Sequence, residues 1–108
     1  MSQHSRRIVV DLPRPPRPDE VVGLNVTTGP LPLGAEIRLS TASGTYIGSA
    51  TSFTGTDRSS NLVFQLALSG RDVDGSRLEI VAVMHDPGAA QPRAPSEAEL
   101  VAVTAWIE

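Results

Sequence analysis

The chain is written in short runs of alternating apolar and polar residues, broken by Gly, Pro, Asp and Ser. A period of two belongs to strands that bury one face and wet the other. Leu62, Phe64, Leu66 and Leu68 share one face, with Val63, Gln65 and Ala67 on the other, and this is the clearest strand. Val22, Leu24 and Val26 alternate with Gly23, Asn25 and Thr27, and Ile37 and Leu39 alternate with Glu36, Arg38 and Ser40. Residues 7–12 predict a short first strand. Residues 45–53 predict a weaker one, with Tyr46, Ile47 and Phe53 among small and hydroxylated side chains.

Two runs are apolar on both faces. Arg77 to His85 sets Leu78, Ile80, Ala82 and Met84 against Val81 and Val83, and Leu100 to Ile107 is interrupted only by Thr104. Such strands are expected at the centre of a sheet or under a covering body. With no helical period longer than one turn, and strands mostly about 8–12 residues apart, the pattern predicts an all-β fold. The expected architecture is a single antiparallel β-sandwich of about seven strands, with immunoglobulin-like or related Greek-key topology.

Three segments depart from the alternation. Pro13-Arg14-Pro15-Pro16-Arg17-Pro18 lacks the N–H groups a sheet interior needs, so residues 13–19 are expected as a proline-rich connector along an edge or between sheets. Residues 86–96, with three prolines and three alanines, read as a mobile loop, and residues 1–6 as disordered. Within the loop, Ser96 and Glu99 have the spacing of a capping box, predicting one helical turn before the last strand.

Composition changes this picture little. A chain of 108 residues is one domain able to bury about two-thirds of its unfolded surface. Four aromatic residues make Val, Leu, Ile and Ala the main packing material. The net charge of −3 and the absence of a basic stripe argue against nucleic acid. All nine cations are Arg, scattered, which fits a GC-rich bacterial codon usage better than a binding chemistry. The lack of cysteine removes disulfides, thiolate metal sites and a thiol nucleophile. The apolar run behind Arg6 and Arg7 stops at Asp11, short of a signal peptide or a membrane span, so a cytoplasmic chain without membrane contact is expected.

Candidate chemistry is thin. Asp72-Val73-Asp74-Gly75 has a calcium-like spacing but lacks the third carboxylate and the distal Glu, and a turn between strands explains it better. His4 and His85 are far apart in sequence, and His85-Asp86 lacks a third group to complete a nucleophile, base and orienter set. Gly48-Ser49 does not make a nucleophile elbow, and the glycines are too dispersed to cradle phosphate. The arginine-flanked prolines resemble ligands of SH3-type grooves, though a stiff connector accounts for them more simply. No enzyme activity and no cofactor are expected.

Tyr46-Ile47-Gly48-Ser49 followed by Phe53 and Gly55, then the strands at Leu62–Leu68 and Leu78–Val83 and a final apolar strand, resembles the C-terminal β-sandwich domain of tyrosinases and polyphenol oxidases. The likeness spans some sixty residues and excludes that family's catalytic domain, whose copper-binding histidines have no counterpart in this chain. The turn after Leu68 departs from the short helix of that domain. The resemblance implies an accessory module that covers or packs on another protein.

The expected function is therefore a non-catalytic module that docks on a partner protein or self-associates. Its contact residues are expected in the last strand: Leu100, Ala102, Thr104, Trp106 and Ile107. The alternative is a carbohydrate-binding module in which Tyr46, Phe53 and Trp106 form a stacking surface.

Overall fold

The computed structural model describes residues 4–51 and 61–108. Seven strands form: β1 (Arg6–Asp11), β2 (Val21–Thr28), β3 (Glu36–Thr41), β4 (Tyr46–Thr51), β5 (Leu62–Ser69), β6 (Arg77–His85) and β7 (Leu100–Ile107). They make two antiparallel sheets, one ordered β1-β6-β3-β4 and the other β5-β2-β7. The all-β sandwich of seven strands follows the alternation read from the sequence.

Strand β4 approaches β5 along one side of the sandwich and β1 approaches β7 along the other. Strands β3 to β6 then run in the spatial order β6-β3-β4-β5, which is a Greek key whose last step crosses between sheets. The immunoglobulin arrangement sets the first strand beside the second and the seventh beside the sixth. Here β1 pairs with β6 and β7 with β2, so the terminal strands have exchanged sheets and the topology is a related Greek key.

The inward residues meet as expected. Val22, Leu24 and Val26 from β2 pack in one core with Ile37 and Leu39 from β3 and Leu78, Ile80, Ala82 and Met84 from β6. All are essentially inaccessible to water, and β2 and β6 are paired on both sides within their sheets. The position of β6 satisfies its two-faced apolarity. The position of β7 does not: it is an edge strand. Its pairing with β2 carries a register shift between Thr27 and Thr28, where Thr27 pairs with Ala102 and Thr28 with Leu100, leaving Val101 as the extra residue of a β-bulge. The inward phase switches there from Leu100 to Val103, Ala105 and Ile107. Beyond the bulge the strand stays apolar on both faces, with Ala102 and Trp106 outward and Val103, Ala105 and Ile107 inward.

Residues 13–20 cross from the four-stranded to the three-stranded sheet, as the prolines require. The connector is fixed at its end: Arg14 forms a bidentate pair with Glu20 (2.7 and 2.6 Å), and the Arg17 amide donates to the same carboxylate at 2.7 Å. These bonds hold the Glu20 carboxyl down to about 2. The Gly70 amide then donates to the Glu20 carbonyl at 2.8 Å, and a Cβ at Gly70 would collide with the Arg17 carbonyl oxygen. Only glycine permits that approach.

The segment 86–96 makes several hydrogen bonds to the sandwich and within itself. Arg93 and Met84 exchange both backbone hydrogen bonds, at 2.7 and 2.9 Å. The Arg93 guanidinium grips Asp86 (2.6 and 3.2 Å) and Glu99 (2.7 and 2.6 Å). Ser96 and Glu99 complete the capping box reciprocally, at 2.9 and 3.2 Å. At the amino end Arg6, expected to be disordered, lies in β1 and donates to the Leu100 carbonyl at 2.8 Å, while residues 1–3 of that expected segment lie outside the described residues. Among the described residues no helix is long and apolar enough to cross a membrane.

Candidate functional site

The two outer faces of the sandwich differ in chemistry. The outward positions of the four-stranded sheet are studded with charge: Arg7 pairs with Glu79 (3.5 Å), Arg77 with Asp11 (3.5 Å) and Arg38 with Glu36 (2.9 Å). At its β4 edge the Tyr46 hydroxyl shares a 2.5 Å hydrogen bond with Ser49. Burial pushes Glu36 up, but hydrogen bonds from Arg38 and Ser49 outweigh it and hold the carboxyl below its ordinary range.

The outer face of the three-stranded sheet has no formal charge within its strands. Its rows follow from the pairing: Ala67, Gly23 and Trp106; Gln65, Asn25 and Thr104; Val63, Thr27 and Ala102. Val21 and the bulged Val101 add exposed apolar surface, at 43% and 44%, and Val63 is 59% exposed. Charge flanks β7 at both ends: the Glu108 amide, just beyond it, donates to the Val21 carbonyl at 2.9 Å, and the Glu99 carbonyl, just before it, accepts from the Gly29 amide at 3.1 Å, with the Glu99 side chain held by Arg93.

Trp106 lies across Gly23. A Cβ built on Gly23 would collide with the indole carbons, so the ring rests on bare backbone. An aromatic residue covering a cross-strand glycine in this way restores packing that the glycine cannot supply. This accounts for a large side chain held so near the chain end. At the middle of the central strand sits Asn25, whose Oδ1 is shielded from water and has no hydrogen-bond partner among the described residues.

The five residues expected as a contact set divide between two environments. Ala102, Thr104 and Trp106 lie on this outer face, whereas Leu100 is fully buried and Ile107 packs inward against the core. Leu100 and Ile107 therefore serve the fold, because the bulge at Val101 turns Leu100 inward. The sequence reading missed the contributions of β2 and β5 to the same surface, Asn25, Thr27, Val63 and Gln65 above all. Their signal was present as uncharged outward positions, set against charged ones in β1, β3 and β6.

Among the described residues, Tyr46 and Trp106 stand on different sheets, Tyr46 on the edge of the four-stranded sheet and Trp106 on the outside of the other, while Phe53 and Gly55 lie outside the described residues. The Asp86 carboxylate is occupied by Arg93, so His85 gains no orienting acid from it. Asp72 and Asp74 line a pocket of ≈ 330 Å³ with Thr41, Ser43, Arg77 and Glu79. Among the described residues no group of three or more His, Cys, Asp or Glu is placed to hold a metal ion. No family model matches the chain, and neither a curated protein nor a solved structure is significantly similar to it.

Proposed function

We propose that this chain is a non-catalytic interaction module that docks through the outer face of its three-stranded sheet. The observation that carries the reading is the unequal charge of the two outer faces: three strands present no formal charge outward, whereas the opposite sheet pairs three arginines with three carboxylates across its surface. Leaving water costs little for an uncharged face of valine, alanine, threonine and an indole, and much for a face of guanidinium and carboxylate groups. Interface cores are depleted in charge and enriched in aromatic residues for the same reason. A module that covers another protein, as the tyrosinase-like strand pattern implies, would use this surface.

The test compares a charge placed on each face. Thr104→Glu sits at the centre of the β7 outer row, and Val81→Glu sits on the outer row of β6. In clarified lysate of its own cells, supplemented with purified chain to about 0.1 mM so that contacts of micromolar strength are populated, fluorescence-detected sedimentation should show the wild-type chain and Val81→Glu in a complex. Thr104→Glu should sediment as the monomer. A wild-type chain that stays monomeric under those conditions, or a complex lost through Val81→Glu and kept by Thr104→Glu, overturns the reading.

A further inference from the structure

We infer that the occupant of this face is a second copy of the same chain, meeting the first face to face about a two-fold axis; the inference rests on the docking reading above. Three observations point to it. The first is charge. The molecule carries a net −3, and the outward rows of β5, β2 and β7 form a surface that a copy can approach without setting a strand charge against its own twin. Glu108 flanks one end of β7 and Glu99, held by Arg93, the other, so an axis lying in the face and running across the strands puts the two Glu108 side chains at opposite ends of the interface.

The second observation is self-complementarity. The polar groups of the face are the amides of Asn25 and Gln65 and the hydroxyls of Thr27 and Thr104, and each both donates and accepts. A surface of such groups is its own partner, as an isologous interface demands. With the axis across the strands through the middle row, Asn25, Gln65 and Thr104 each face their own counterparts, and Trp106 comes opposite Ala102, the bulkiest side chain against one of the smallest. The third is Asn25 itself. Its Oδ1 is buried without a partner among the described residues, a deficit they leave standing. Lifting the side chain to bond the Asn25 amide of the second copy relieves it.

Area sets the strength. Three strands about 4.8 Å apart, each about eight residues long at about 3.3 Å per residue, cover about 14 by 26 Å, or roughly 750 Å² in projection for two copies. That lies below the roughly 1,200–2,000 Å² of stable interfaces, so the dimer is reversible, with dissociation in the micromolar range or weaker.

Sedimentation equilibrium of the purified full chain, from about 1 µM to about 1 mM, tests this directly. The wild-type chain should show a monomer–dimer equilibrium. Because residue 104 faces itself across the axis, Thr104→Glu and Thr104→Lys should each weaken dimerisation at least about tenfold by like-charge repulsion. An equimolar mixture of the two variants should recover association as a heterodimer, which requires both to be folded. A wild-type chain that stays monomeric at the highest concentration, or a mixture that fails to recover, overturns the inference. If the purified chain is monomeric while the lysate complex still disappears with Thr104→Glu, the second copy is excluded and the docking reading stands on a different partner.

Discussion

Ile80→Ala should cost about 3–5 kcal/mol of folding stability, a larger loss than any surface substitution on this sandwich should cause. Ile80 is fully buried on β6, between Ile8 of β1 and Thr41 of β3, and faces the β2 valines and leucine across the core. Removing its three outer carbons leaves a cavity that strands hydrogen-bonded on both sides cannot close. For a domain of this size each kcal/mol moves the melting temperature by roughly 4–8 °C, so the loss would be visible in a thermal scan as a drop of more than about ten degrees. A drop of only a few degrees would mean that the sheets relax into the space and that the core is less tightly held than the burial indicates.

Arg93→Ala should cost about 2 kcal/mol, a large loss for a partly exposed side chain. The figure lies between an exposed pair, worth under about 1 kcal/mol, and a broken buried pair, which costs about 3–5 kcal/mol. It is discounted toward the exposed case because the Arg93 side chain is 40% exposed, although its partner Glu99 is only 17% exposed. The effect has a sign in pH. Hydrogen bonds from Arg93 hold the Glu99 carboxyl at about 2, below its ordinary 4.5. A group with a lowered pKa in the folded state stabilises the fold above its unfolded pKa, and that contribution fades as pH falls toward the folded value. Urea denaturation across pH should therefore show the wild-type and Arg93→Ala chains farthest apart above pH 4.5 and converging toward pH 2. A gap that stays constant through that window would assign the role of Arg93 to packing rather than charge.

Much of the fold was legible because period-two alternation is a local property. Phe64, Leu66 and Leu68, Val22 to Val26 and Ile37 with Leu39 turn inward as their spacing requires, while Leu62 at the start of its strand stays exposed. Ser96 and Glu99 likewise form the capping box that their spacing suggests. What the chain did not disclose depends on contacts distant in sequence. The exchange of β1 and β7 between sheets rests on pairings such as Ile8 with Ile80 and Val22 with Ile107, for which no local pattern exists. The hydrogen bonds of residues 86–96 centre on one arginine that reaches carboxylates seven residues before it and six after, in a stretch otherwise rich in proline and alanine.

The candidate surface was half visible for a related reason. Ala102, Thr104 and Trp106 were named from the apolar last strand. Leu100 was drawn into the same set because the bulge at Val101 cannot be seen in a run that is apolar throughout, whereas Ile107 stands on the opposite face of the strand from Trp106. Outward positions in β2 and β5 lacked charge just as those of β7 did, but these strands join into one uncharged face only once they are known to be neighbours. The fold thus turns a weak property of three separate segments into a continuous surface.

Site-specific photo-crosslinking in the producing cells tests that surface most directly, with a photoreactive residue placed at Thr104 in one chain and at Val81 in another. A discrete protein adduct is expected from position 104, of dimer mass if the second copy is the occupant, and none from position 81. Adducts from position 81 alone, or from neither position, would contradict the claim that this sandwich works through the outer face of its three-stranded sheet.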